Sequence, residues 1–273
     1  MSLTLGSGPF GHHPSGVFNG RFDGPKHLLY FEDFPRRVRA LIGGETLIDT
    51  VNGRMLYESS LPPVLYVPIR DVRQDLIATT DHSTYCPFKG DATYWTAAAG
   101  DRVEENVLWG YREPIASAPW LSGYVAAYWD RMDAWYEEAE KVFGRLRDPY
   151  HRVDVVRSDA LVTVRANGEV VAESTRSKLL FETSLPVRAY IPLEDVRRDL
   201  LAPSDKTTIC PYKGTANYWS VRTGGGETLD DVVWAYEQPF PESAGIEGHV
   251  SFLGDGIDVE IDRDSAAKSA LAA

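Results

Sequence analysis

Cysteine is scarce in this sequence, and long apolar runs are absent from it. Two cysteines in 273 residues do not make a disulfide framework, a pattern typical of a chain kept in a reducing compartment. No window approaches the roughly 18 consecutive apolar residues that a membrane-spanning helix needs. Residues 1–24 also lack the apolar core of a signal peptide. These absences predict a soluble cytoplasmic protein with no membrane partner.

Positive charge is the second shortage. Lysine and arginine number 28 against 40 aspartates and glutamates, which gives a formal net charge of −12. A field of that sign repels phosphate backbones, so we expect no nucleic-acid partner. The hydrophobic content of 43% is ordinary for a globular protein and suffices for a core in each of two domains.

One five-residue stretch occurs twice and sets the organisation of the chain. Cys86–Gly90 reads Cys-Pro-Phe-Lys-Gly and Cys210–Gly214 reads Cys-Pro-Tyr-Lys-Gly, an offset of 124 positions (210 − 86). After the triple glycine at 224–226 the offset becomes 125. The other matched pairs include Glu58 with Glu182, Tyr66 with Tyr190, Asp71 with Asp195, Tyr94-Trp95 with Tyr218-Trp219, Trp109 with Trp234, and Tyr111 with Tyr236. So many identities at fixed spacing indicate a duplicated domain.

The duplication divides the chain into five parts. We predict an N-terminal arm over 1–35, a first domain over 36–140, a linker over 141–150, a second domain over 151–262 and a tail over 263–273. An isologous pairing of the two repeats within the chain, as in a fused homodimer, predicts a monomer or a small oligomer.

Both copies consist of short alternating strands separated by turn residues. Gly43-Gly44 and Asn167-Gly168 each stand between two apolar runs, which predicts hairpins with positive φ at both turn residues. Asp71 and Asp195 are each predicted to cap one short helix. The fold class is therefore mainly β, with two homologous small domains of folded-sheet or barrel type.

The segment 128–143 gives conflicting signals. Its apolar residues recur at helical spacing, but the offset of 125 places 132–136 on 257–261, which alternates as a β-strand does. Because duplicated domains should share their strands, we predict a strand over 131–137 and place any helix after Glu138.

These motifs, in this order, resemble a known family. An Asn-Gly hairpin, Tyr-x-Pro-x-x-Asp-Val, Cys-Pro-x-Lys-Gly, Tyr-Trp, Trp-x-Tyr-x-x-Pro and a closing Gly-x-Val strand are similar to the domain of unknown function 427 (DUF427), here in tandem. The resemblance implies a small β domain similar to the folded "tent" of methionine sulfoxide reductase B, and no established activity. Many tent-shaped relatives hold zinc with two Cys-x-x-Cys pairs. With one cysteine per copy this chain cannot build that site, so we expect no metal.

The repeated cysteines and lysines are the first candidate functional residues. Cys86 and Cys210 are candidate nucleophiles, with Lys89 and Lys213 close enough in the turn to lower the thiol pKa. The alternative is a buried structural cysteine beside a turn lysine in water. This alternative is favoured because His82, the histidine nearest the first motif, has no counterpart, and we expect no repeated histidine base.

The repeated glutamates and aromatic residues are the second set. Glu58 and Glu182 are candidate acid–base groups if they point toward the Cys-Lys turn, and outward polar residues otherwise. The aromatic residues either wall a pocket for a flat or cationic ligand or fill the core of a small domain. They are Tyr66, Tyr94, Trp95, Trp109, Tyr111, Tyr190, Tyr218, Trp219, Trp234 and Tyr236. Adjacent Tyr94 and Trp95 must point to opposite faces of their strand.

Two functional hypotheses follow. In the first, each domain binds an unidentified small molecule in a pocket formed by the Cys-Pro-x-Lys-Gly turn, the glutamate and the aromatic residues, with or without thiol catalysis. In the second, the same residues are core and turn fixtures of a non-catalytic structural or interaction module. Neither hypothesis implies a cofactor, and the sequence alone does not decide whether the protein is an enzyme.

Overall fold

The structure of the protein, a computed structural model, describes residues 3–20 and 24–264. It contains two compact units, Met1–Tyr150 and His151–Ala273. Each unit consists mainly of antiparallel strands, which confirms the mainly-β class predicted from the repeat. Among the described residues, no helix has the length and apolar character needed to cross a bilayer.

In the first unit, seven strands form one open sheet in the order β1-β4-β5-β9-β8-β7-β6, and four form a second sheet in the order β11-β10-β2-β3. Their bounds are β1 Leu29–Phe34, β2 Val38–Ile42, β3 Glu45–Thr50, β4 Gly53–Glu58, β5 Leu61–Pro68, β6 Ile77–Cys86, β7 Gly90–Ala99, β8 Arg102–Gly110, β9 Tyr124–Ala127, β10 Ala134–Glu137 and β11 Glu140–Val142.

The second unit repeats this topology strand for strand, without a counterpart of β11 among its described residues. Its sheets have the orders β12-β15-β16-β20-β19-β18-β17 and β14-β13-β21, and neither order closes into a barrel. The bounds are β12 Val153–Arg157, β13 Leu161–Ala166, β14 Glu169–Ser174, β15 Lys178–Glu182, β16 Arg188–Pro192, β17 Leu201–Cys210, β18 Gly214–Arg222, β19 Thr228–Tyr236, β20 His249–Phe252 and β21 Ile257–Asp262.

The two predicted hairpins are present. Gly43 and Gly44 have φ of +56° and +79°, and Asn167 and Gly168 have φ of +47° and +86°. Turns with positive φ at both central residues match the twist of the strands that they join. They connect β2 with β3 and β13 with β14.

The ambiguous segment after residue 128 contains a strand, as the repeat predicted. It is β10, and β11 follows it where a helix was expected after Glu138. The offset of 125 is wrong here by one residue. Trp135 lies opposite Ala40 and Val259 lies opposite Val164, so Trp135 corresponds to Val259 at an offset of 124 (259 − 135). The loop before this strand is therefore one residue longer in the first unit.

The helix-capping prediction for Asp71 and Asp195 is wrong. Each copy has short 3-10 turns at this place, and Asp71 is the last residue of the turn Ile69–Asp71. Its carboxylate accepts a hydrogen bond from Thr50 Oγ1 at 2.6 Å, and Asp195 accepts one from Ser174 Oγ at 2.6 Å. These aspartates connect the turn to the end of the preceding hairpin.

The region 1–35 contains more structure than an arm. Strand β1 lies within it and pairs with β4, and Leu29 stands opposite Glu58. Further upstream, Ser60 N donates to the carbonyl of Thr4 at 2.8 Å and Ser59 Oγ donates to the carbonyl of Phe10 at 3.1 Å. Residues near the start of the chain therefore pack beside the end of β4.

Candidate functional site

The carboxylate of Glu58, at the end of β4, has two charged or polar partners. Lys89 Nζ donates a hydrogen bond to Oε2. His27 Nε2 lies 2.9 Å from Oε1. The three side chains are mostly buried, with 8% exposure for Glu58, 10% for Lys89 and 17% for His27. We call this set the His–Glu–Lys triad of the first unit.

The second unit contains the same triad with the same atoms. Lys213 Nζ donates to Glu182 Oε2 at 2.6 Å, and His151 Nε2 lies 3.0 Å from Glu182 Oε1. The side chains of Lys213 and Glu182 are 9% and 11% exposed, and that of His151 is 2% exposed. Of the two orientations that the sequence left open for the glutamate, both units have the one in which it faces the Cys-Lys turn.

Curvature of the large sheet brings the triad together. Lys89 lies in the turn between β6 and β7, whereas three strands separate β4 from β7 in the sheet. In a flat sheet, four inter-strand spacings would put these strands about 19 Å apart. A lysine side chain cannot reach that far, so the contact requires a folded sheet.

The turn that carries Lys89 depends on Gly90. Lys89 N donates to the carbonyl of Cys86 at 3.2 Å. Gly90 then has φ of +103°, and a Cβ on it would lie 3.4 Å from the carbonyl oxygen of Glu113.

We expect Gly90→Ala to destabilise the first unit by about 1–3 kcal/mol because an L residue is strained at this φ. Urea unfolding measures the loss; Gly16→Ala, in open space, should leave the midpoint unchanged. An equal effect of both substitutions would contradict the expectation.

The histidines were missed by the sequence prediction, which expected no repeated histidine. His27 stacks on Phe88 with ring centroids 3.8 Å apart, and His151 packs on Tyr212 at 3.9 Å. Both aromatic rings belong to the Cys-Pro-x-Lys-Gly turns. The sequence did contain a signal for these histidines: the pattern Pro-x-His occurs at 25–27 and again at 149–151, at the offset of 124 that relates the two copies.

Hydrogen bonding in the triad of the second unit keeps Glu182 ionised. Burial alone would raise the pKa of Glu182, but the hydrogen bonds from His151 and Lys213 outweigh it and lower that pKa to about 2. An ionised carboxylate only accepts hydrogen bonds, so Nε2 of His151 must carry a proton. The other ring nitrogen of His151, Nδ1, is buried and has no hydrogen-bond partner.

In each unit, most of the aromatic residues singled out from the sequence lie on one face of the seven-stranded sheet, together with the cysteine of that unit. In the first unit this cluster contains Tyr66, Tyr94, Trp109, Tyr111 and Cys86. Burial raises the pKa of Tyr66 and Tyr111, so both hydroxyls remain protonated near neutral pH. The second unit has the corresponding cluster of Tyr190, Tyr218, Trp234, Tyr236 and Cys210.

Trp95 and Trp219 do not join these clusters. They pack in the main core of each unit, on the opposite face of the sheet from Tyr94 and Tyr218. This arrangement agrees with the alternation expected for adjacent strand residues.

The cysteines lie at the edge of the tyrosine clusters and are half-buried. The lysine of each turn binds a carboxylate: Lys89 pairs with Glu58, and Lys213 pairs with Glu182. The positive charge of each lysine is therefore largely compensated by a carboxylate.

Sequence comparison agrees with this architecture. The family model described as "Domain of unknown function (DUF427)" matches residues 30–138 and again residues 154–263. The chain belongs to the DUF427 family. The two matches confirm the tandem arrangement, and a search of curated proteins finds no significant match. Both DUF427 matches begin three residues after a triad histidine, at His27 and at His151.

Clefts open on the described part of the first DUF427 unit, and two of them are not bordered by the triad. One has a volume of about 360 Å³ and is bordered by Trp95, Tyr111, Tyr124 and Arg112 among others. The other, of about 390 Å³, is bordered by Trp109 and further aromatic residues. Three residues that the sequence singled out as ligand-binding candidates thus border a cleft.

Proposed function

We propose that each DUF427 unit binds a small molecule beside its His–Glu–Lys triad, with the cysteine thiol and the tyrosine hydroxyls lining the site. The observation that carries the proposal is the second-unit histidine. Glu182 orients the ring of His151 so that Nδ1 faces away from the carboxylate, and this buried atom lacks a partner. Leaving a buried polar atom unpaired costs free energy that a hydrogen-bonding group of a ligand would recover.

The recurrence of the triad supports the same proposal. Buried ion pairs are often no more stabilising than well-packed apolar residues of similar size. Both copies nevertheless retain a glutamate, a lysine and a histidine joined through the same atoms. A histidine held by a carboxylate is also suited to accept a proton from a bound molecule, and a nearby thiol is a nucleophile once it is deprotonated.

Alkylation of the thiols tests the proposal. The folded protein is treated with iodoacetamide over a range of pH, with and without a library of small polar fragments, and the labelling of Cys86 and Cys210 is read by mass spectrometry. We expect both half-buried thiols to react in the folded state and some fragments to slow the reaction. A labelling midpoint well below the usual thiol pKa of about 8.5 would add catalysis to binding.

A matched pair of histidine variants makes this test specific. In the second unit, His151→Ala should abolish protection of Cys210 by a fragment. His249→Ala should retain the protection, because the hydrogen bond of the His249 ring joins Nδ1 to the carbonyl of Glu247 and involves no triad residue. Equal protection in both variants would refute a role for the triad.

The second candidate function is a non-catalytic structural or interaction module. It is favoured by the nearly complete burial of Tyr66 and Tyr190, which are 2% and 1% exposed. In that case Cys86 and Cys210 should resist iodoacetamide until the protein unfolds, and no fragment should change their rates.

A further inference from the structure

The cleft bordered by Trp109 has a wall of aromatic side chains. It is about 390 Å³ in volume, within the range of small-molecule sites. Trp109, Tyr128, Trp129 and Trp135 line it, with Pro62 and Pro63. The charged residues at this cleft are Asp130 and Arg145.

Contacts among the rings hold this wall in place. Trp129 stacks on Trp135 with centroids 4.1 Å apart and an interplanar angle of 8°, and Trp135 Nε1 donates to the carbonyl of Trp129 at 3.0 Å. Trp109 packs on Tyr128 at 4.7 Å. A ligand would therefore meet rings that are already ordered, which reduces the entropy lost on binding.

Part of the aromatic wall has no aromatic counterpart in the second copy. Tyr128 N donates to the carbonyl of Val107, and Leu253 N donates to the equivalent carbonyl of Val232, so Tyr128 corresponds to Leu253. Trp135 corresponds to Val259 by strand pairing. Trp129 lies in the loop that is one residue longer in the first unit. Two aromatic positions and a loop length thus distinguish the copies at this cleft.

We propose that this cleft binds a flat aromatic molecule that carries an ammonium group, and that it does so independently of the triad site. The rings offer stacking surfaces, and electron-rich ring faces attract cations, as the guanidinium of Arg131 lying 4.9 Å from the ring centre of Tyr128 illustrates. The carboxylate of Asp130 is adjacent in sequence to Trp129 and lies at the same cleft. The positive charge of Arg145 repels the ammonium group, which is therefore expected to lie near Asp130. The net charge of −12 also favours a cationic ligand.

Three indoles of different charge test this proposal. Tryptamine, tryptophol and indole-3-acetate carry an ammonium, a hydroxyl and a carboxylate, respectively, on a short side chain of the same ring system. Isothermal titration calorimetry of the full chain should show one tryptamine per chain, bound about three- to tenfold more tightly than tryptophol, with indole-3-acetate weakest. Binding of indole-3-acetate as tight as that of tryptamine, or no binding of any indole at millimolar concentration, would overturn it. Two equivalent tryptamine sites per chain would overturn it as well.

Three variants locate the binding. Asp130→Asn should abolish the preference for tryptamine over tryptophol, whereas Tyr128→Leu, which introduces the second-unit residue, should weaken both ligands. The control is Arg112→Glu, which introduces the second-unit residue Glu237 at the other cleft and should leave tryptamine binding unchanged. Unchanged binding in both Asp130→Asn and Tyr128→Leu would contradict the proposal. All of these outcomes are independent of whether fragments protect the cysteines at the triad.

Discussion

Replacing Lys89 with methionine is expected to lower the free energy of unfolding of the first unit by about 3–5 kcal/mol, because removing one partner leaves the other charge buried. The carboxylate of Glu58 is 8% exposed, and Lys89 Nζ is its cationic partner. His27 would remain as a hydrogen-bond donor. Hydrogen exchange read by mass spectrometry on peptides of each unit measures the loss, with the second unit as an internal reference.

A double variant separates the loss of charge pairing from the loss of packing. Glu58→Gln combined with Lys89→Met removes both charges, so it should be more stable than Lys89→Met alone. Arg37→Met is the surface control, because Arg37 and Asp49 form an ion pair with side chains 47% and 41% exposed. Exposed pairs contribute little, so its exchange should match the wild type. If Lys89→Met behaved like Arg37→Met, the buried pair would have no structural importance.

The sequence was most informative where the two copies could be compared. Helical spacing over 128–143 suggests a helix when it is considered alone, and only the alternating segment 257–261 revealed the strand β10. The one-residue error in that comparison arose because the loop before β10 is longer than its counterpart. Turn chemistry was equally reliable at Asn167-Gly168, since positive φ at both positions is a local requirement.

The triad could not be derived from the same signals. Lys89 and His27 are each separated from Glu58 by 31 positions. Local patterns do not encode the curvature of the sheet that joins them. A lysine three residues after a cysteine suggested a thiol partner, but Lys89 forms its ion pair with the carboxylate of Glu58 across the folded sheet. Asp71 shows the same limit. Its position in the sequence fitted a helix cap, but its carboxylate accepts a hydrogen bond from Thr50, which is distant in sequence.

The second unit should lose stability in acid through Glu182, the residue with the largest expected pH effect. The pKa of Glu182 is lowered from 4.5 to about 2, because hydrogen bonds from His151 and Lys213 outweigh the burial that would raise it. The ionised form therefore stabilises the fold above pH 4.5, and this contribution disappears as the pH falls from 4.5 toward 2. A shift of this size corresponds to about 3 kcal/mol.

Comparison with Glu182→Gln isolates this effect. Asp195 in the same unit also has a lowered pKa, through its hydrogen bond with Arg176, so the wild type loses stability in acid for more than one reason. Hydrogen exchange of second-unit peptides between pH 5 and pH 2 should show a steep loss in the wild type and a shallower one in Glu182→Gln. Glu237→Gln, at an exposed position, should follow the wild type. Parallel losses in all three proteins would show that Glu182 is not held ionised by its neighbours. The orientation of His151, on which the proposed binding site depends, would then lose its physical basis.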